Sequence, residues 1–246
     1  MSRCRLAAAA ATAALVLLSA CSSKPPTPDW QMNAHASMQR TLEAYLLGDT
    51  RLEALEFDRA RSAIASTGRL PLMARAELMR CAARVASLVF EPCPNFDALQ
   101  QDADAADLAY AGYLAAQPLS APALALLPPA QRPFAVAQVG GPGDVAVRSG
   151  DPANAAVRVG GPGDAAALQQ IEDPLSRLVA AAVLLRNGQA HPATMAVAVD
   201  TASAQGWRRP LLAWLNVQLR VAEQHGDNPE TQRLKRRIGL VQGPAR

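Results

Sequence analysis

The chain has 246 residues, half of them hydrophobic, with 4% aromatic and 18% charged residues and a formal net charge of +3. Two of its cations, Arg3 and Arg5, belong to the first few positions, and without them 24 basic residues become 22 against 21 acidic ones. A balance this close to neutral disfavours a nucleic-acid partner, which requires a dense basic surface.

Met1 to Ala20 begins with Arg3 and Arg5, continues as an apolar run from Leu6 to Leu18 broken only by Thr12, and closes on small residues. A basic start, an apolar centre and a small-residue boundary make up a secretory signal. The run falls short of the roughly 20 apolar residues that a membrane span needs. It is also apolar on every side, unlike the one-sided stripe of a helix packed on a domain surface. Its ending, Leu18-Ser19-Ala20-Cys21, resembles the lipobox of bacterial lipoproteins. The resemblance implies cleavage before Cys21, diacylation of its thiol and acylation of the new amino group, with palmitate among the chains. Each buried CH₂ contributes about 0.8 kcal/mol, so several chains make a lasting anchor. Ser22, where an aspartate would favour the inner membrane, points to the outer membrane and its periplasmic face. Residues 21–29 then form the acylated cysteine and a tether, "SSKPPTPD", whose prolines favour an extended path of about 3.1 Å per residue.

The remaining chain is rich in alanine, leucine and arginine, which favours helices. Trp30, Ala34, Met38, Leu42 and Tyr45 recur at helical spacing, and Gly48 ends that run. Thr50-Arg-Leu-Glu53 has the pattern of a capping box opening a second helix, closed by Gly68. Pro71 suits the first turn of a third helix, along which Leu72, Ala76, Met79 and Ala83 form a stripe toward Phe90. A fourth helix is expected over 96–116, and these elements make up an N-terminal helical part, 30–134.

"AVAQVGGPGDVAV" at 135–147 returns as "AAVRVGGPGDAAA" at 155–167, a tandem duplication whose glycine, proline and small residues predict a flexible insertion over 135–167. An anion-cradling role for GGPGD would need a following lysine with serine or threonine, which is absent. Beyond it, Pro174, Pro192, Pro210 and Pro229 open helices closed by Gly188, Gly206, Gly226 and Gly239. Successive prolines are 18, 18 and 19 residues apart, so two units form an antiparallel hairpin of about 37 residues, near the period of helical repeat proteins. The C-terminal hairpins span 168–240, with a tail at 241–246. The tetratricopeptide signature is missing, and an open repeat array and a closed helical bundle both fit this spacing.

Chemistry is sparse. Cys81 and Cys93 remain after Cys21 is committed to lipid, and either a disulfide or two separate thiols is open. A third helix running to Phe90 would carry the chain about 13 Å past Cys81, so bridging requires an early helix end or a sharp return at Pro92 and Pro94. His35, His191 and His225 have no cysteine or carboxylate at metal-ligand spacing. His225 stands before Gly226, where a cation faces the negative end of a helix. Asp102, Asp104 and Asp107 miss the glycine of a calcium loop, and its twelfth position is Tyr113. Residues 91–110 carry a charge of −5, and residues 208–246 carry +5, with Arg233, Lys235, Arg236 and Arg237 on the last helix. That cluster reads either as a contact for anionic surfaces or as a solvated helix face. Trp207, Leu211, Trp214, Leu215 and Gln218 read as core, with Arg208 and Arg209 exposed.

The expectation is an all-α protein of antiparallel helical hairpins that binds no cofactor and no metal. Its body, in "PDWQMNAHASM", "RCAARVASLVFEPC" and "DTASAQGWRRPLLAWL", resembles small lipoproteins of proteobacteria, a resemblance that implies no activity. The function expected is a non-catalytic scaffold or binding partner for another envelope protein, held to the membrane by its lipid. An enzyme acting on peptidoglycan or lipid, or a carrier of lipids or other apolar ligands, is the alternative.

Overall fold

The computed structural model describes residues 26–136 and 162–243. The expected signal segment, Cys21 with the first part of the tether, the centre of the duplicated insertion and the last three residues lie outside them. Eleven α-helices are described: α1 (Asp29–Leu47), α2 (Thr50–Ala65), α3 (Leu70–Ala86), α4 (Pro94–Asp97), α5 (Ala105–Leu114), α6 (Ala121–Leu126), α7 (Pro162–Gln169), α8 (Pro174–Arg186), α9 (Pro192–Ala204), α10 (Arg208–Gln224) and α11 (Asn228–Gln242). Single 3₁₀ turns occupy Gln100–Asp102 and Arg132–Phe134. No strand is present among the described residues, and the protein is all-α.

Most helix limits follow the proline and glycine punctuation. Gly48 closes α1 at φ 91°, a left-handed conformation open to a residue without Cβ, while the Asp49 N–H returns to the Ala44 carbonyl at 2.8 Å. Asp173 and Asp227 accept hydrogen bonds from the Ser176 and Glu230 N–H groups, capping α8 and α11 just ahead of Pro174 and Pro229.

Several limits differ from expectation. The cap of α2 is Asp49, which accepts from the Leu52 N–H at 2.9 Å, and Glu53 turns inward to Arg80 instead of completing a capping box. Helix α3 stops at Ala86, without glycine, because Leu88 itself adopts φ 61° and the Val89 N–H closes on the Arg84 carbonyl at 2.9 Å. The expected helix over 96–116 is broken into α4, a 3₁₀ turn and α5. Extended Ala103 makes the break, and Arg75 binds Asp104 and Asp107 on its far side. Helix α7 forms inside the expected loop because Leu168, fully buried, gives it an apolar anchor. Gly239 does not end α11; Leu234 and Ile238 hold its buried face and the glycine lies on the exposed one.

Helices α1 and α2 form one hairpin, α8 and α9 a second, and α10 and α11 a third, and α3 lies against both α1 and α8. A linear repeat array joins each unit to its neighbours alone. Here α8 packs on α3 and α10 on α1, so the second half folds back over the first and closes a bundle. One hydrophobic core runs through both halves, and a smaller cluster built on Met38, Phe57 and Ile64 lies under α1 and α2.

Polar links cross this core at defined points. Trp214, completely buried on α10, donates its indole N–H to the Ala86 carbonyl at 3.2 Å. Trp207 donates to the Glu43 carboxylate at 3.1 Å, and Gln131 joins the Tyr113 hydroxyl at 2.6 Å to the Ser176 carbonyl at 3.0 Å. Arg209 is half-buried rather than exposed, its guanidinium 4.1 Å from the centre of the Tyr45 ring. The early end of α3 turns the chain back so that Cys81 and Cys93 form a disulfide, with Cα atoms 6.1 Å apart.

Two outcomes follow for stability. Trp214→Phe keeps most of the ring but orphans a buried carbonyl, and urea unfolding should show a loss of about 1–3 kcal/mol. Opening the short Cys81–Cys93 loop, by reduction or by replacing both cysteines with serine, should remove about 3 kcal/mol in the same measurement.

Candidate functional site

Along α1, Trp30, Ala34 and Met38 recur every four residues, and along α3, Leu72, Ala76 and Met79 recur every three or four. Each set therefore presents one helix face. Where the faces meet, both helices carry alanine, which is too small to fill the space. A groove of about 510 Å³ opens between them, with Ile64 and Arg69 also in its lining. Its floor is the buried part of the small apolar cluster, in which Ala34 and Ala76 are 7% and 3% exposed. Met79, expected in the core stripe, is instead 39% exposed on the groove wall, because α3 is already buried against α8 on its other side. Met32 stands 51% exposed on the same helix as Met38.

Of the basic side chains lining the groove, Arg69 is exposed, whereas Arg75 is already paired with carboxylates at the groove edge. Arg75 meets Asp107 through both carboxylate oxygens at 3.1 Å and Asp104 at 3.1 Å, which pins the start of α5 to the groove edge. Two of the three aspartates considered for calcium, Asp104 and Asp107, are thus drawn to a guanidinium, and no group of three metal-ligating side chains is found among the described residues.

An ionic network with buried carboxylates links α1, α2 and α3. Arg80 reaches Glu53 at 3.0 Å and Glu77 at 3.4 Å while its guanidinium covers the Phe57 ring at 4.0 Å. Glu56 meets Arg40 at 2.8 Å and Arg59 at 2.6 Å. Both arginines remain half exposed, so the carboxylate is shielded by guanidinium groups rather than by apolar core. The hydrogen bond from Arg40 holds the Glu56 carboxyl below its ordinary range.

The remaining predicted positions are dispersed. His191 caps α9, its Nδ1 accepting from the Ala193 N–H at 3.3 Å, and His225 stands at the C-terminal cap of α10. A second depression of about 340 Å³ near His225 contains Asp227, whose side chain caps α11, and Glu230, whose carboxylate holds Arg233. Of the basic cluster, Arg233 is paired with Glu230 at 2.6 Å and Lys235 with Glu223 at 3.0 Å. Arg237 is half-buried, and no carboxylate among the described residues pairs with exposed Arg236. Much of the expected positive surface is thus neutralised locally. The groove escaped the sequence reading; only two methionines, Met38 and Met79, line it, too sparse a pattern to mark it.

No known protein family, curated protein or solved structure matches the chain. No helix among the described residues is long and apolar enough to cross a membrane.

Glu56 generates a pH prediction. Its folded value lies below the unfolded 4.5, so the ion-pair stabilisation is complete above that pH and disappears as pH falls through the folded value. Glu56→Gln should flatten the acid limb of a stability–pH profile, read as the urea midpoint at falling pH, and leave a smaller difference between mild and strong acid than in the wild type.

Proposed function

We propose that the protein is a lipid-anchored, non-catalytic binding module of the cell envelope, held by acylated Cys21 to the outer membrane and facing the periplasm. The Leu18-Ser19-Ala20-Cys21 sequence supports the anchor. The Cys81–Cys93 bond independently supports an oxidising compartment, where disulfides persist. The observation that carries the binding role is the place of the groove. Its first lining residue, Trp30, follows Cys21 by nine positions, a span of at most about 30 Å when extended. What that groove offers is apolar surface with the exposed Arg69 at its edge, which suits holding a partner of the envelope.

Cells fed labelled palmitate should incorporate label into the wild-type chain and none into Cys21→Ser, and the variant should leave the membrane pellet for the soluble fraction. An unlabelled wild type, or a variant that sediments with the envelope as before, overturns the anchor.

A further inference from the structure

We infer that the junction of α1, α3 and α10 holds a phosphate group between the guanidinium groups of Arg84 and Arg209. This site shares no residue with the α1–α3 groove and does not rest on the binding role above. Direct contacts bring the three elements together. Trp214 of α10 donates to the Ala86 carbonyl at the end of α3. Arg209, in the first turn of α10, lies 4.1 Å from the centre of the Tyr45 ring on α1. Ser87 caps α3, and its N–H bonds the Arg84 carbonyl at 3.0 Å, so Arg84 and Ser87 share one turn.

What the junction lacks is a counter-charge. Arg84 and Arg209 are both half-buried, and no carboxylate among the described residues pairs with either. The carboxylates flanking Tyr45 and Thr50 in the chain are engaged elsewhere: Glu43 accepts from the Trp207 indole, Asp49 from the Leu52 N–H and Glu53 from Arg80. Arg209 gives one N–H to the Thr50 hydroxyl at 3.2 Å and keeps others of its five donors. Guanidinium groups drawn partly out of water without a partner are costly, and a bound anion removes that cost. A second observation points the same way. Ser87 is only 4% exposed, yet its Oγ has no hydrogen-bond partner, which leaves a buried donor unused. Tyr45 adds another: burial raises its phenol above the ordinary range, while Arg209, Ser87 and Arg84 pull it down, so the three groups surround one neutral hydroxyl. Two guanidinium forks and two hydroxyls suit the several oxygens of a phosphate, which arginine takes in pairs. A carboxylate, with two oxygens, would leave donors unmet. The group is carried either by the free ion or by a lipid headgroup.

The test keeps the full chain in a maltoside detergent, which carries no phosphate, at an ionic strength fixed with chloride. It is titrated with inorganic phosphate and, separately, with dihexanoyl phosphatidic acid, each followed by its ³¹P NMR line width. At least one of the two should bind, and whichever binds more tightly names the source, free ion or headgroup. Arg84→Gln and Arg209→Gln should each weaken that binding about tenfold or more, and Ser87→Ala about threefold or more. Arg84 holds no ion pair in the fold, so its variant tests the site without loosening the packing that Arg209 makes on Tyr45. Arg236→Gln, at an exposed arginine of α11 outside the junction, should change nothing. Binding of neither probe, or binding that survives both Arg84→Gln and Arg209→Gln unchanged, overturns the inference. An equal loss in Arg236→Gln overturns it too, in favour of general attraction to a basic surface. Palmitate labelling at Cys21 is read separately, so loss of the anchor and loss of this site are told apart.

Discussion

The structure depends on one hydrogen bond buried in its centre, from the Trp214 indole to the Ala86 carbonyl. Ala86 is the last residue of α3, where helical carbonyls lose their internal partners. By supplying a donor there, α10 satisfies a group that would otherwise be buried unpaired, and it permits the helix to stop without glycine or proline. The rest follows from that stop. Leu88 takes the left-handed turn, the chain doubles back, Cys93 arrives beside Cys81, and α8 gains a flat side of α3 on which to lie.

The same packing explains the groove. Helix α3 is buried on most of its circumference, with Ala74, Leu78, Ala82 and Val85 turned into the core. What remains for the opposite side is Arg75 and Met79, separated from α1 by alanines. The buried carboxylates Glu53, Glu56 and Glu77 each meet arginine, so α1, α2 and α3 are held at fixed spacing by directional contacts as well as by apolar ones. Removing one partner of such a pair leaves an uncompensated charge. The ion pairs therefore restrict how far the groove walls can approach each other.

Much of the helical architecture was legible because proline and glycine act locally. Pro174, Pro192 and Pro229 place helix starts through a fixed φ and a missing N–H, and Gly188, Gly206 and Gly226 place ends through positive φ. The failures share a cause: tertiary contacts overrode local preference. Leu88 does the work of a glycine because Trp214 fixes the carbonyl ahead of it, and Gly239 continues a helix whose buried face is held by Leu234 and Ile238. Asp102 to Asp107 look like the face of one helix, yet Arg75, about thirty residues earlier, splits them. The groove was illegible for a further reason. Alanine favours a helix whichever way it points, and whether Ala34 and Ala76 face a core or a void depends on where the other helix stands. Tryptophan was easier, since Trp207 and Trp214 stand on a leucine stripe that reads as interior and is interior.

The distance along the chain between Ala86 and Trp214, 128 residues, also bears on how the molecule is born. At about 5–20 residues per second, the polypeptide emerges for on the order of ten seconds between the two. During that interval the first three helices have been made while the surface reserved for α10 has no partner yet. Until α10 is made, the Ala86 carbonyl lacks the indole N–H that meets it in the folded protein.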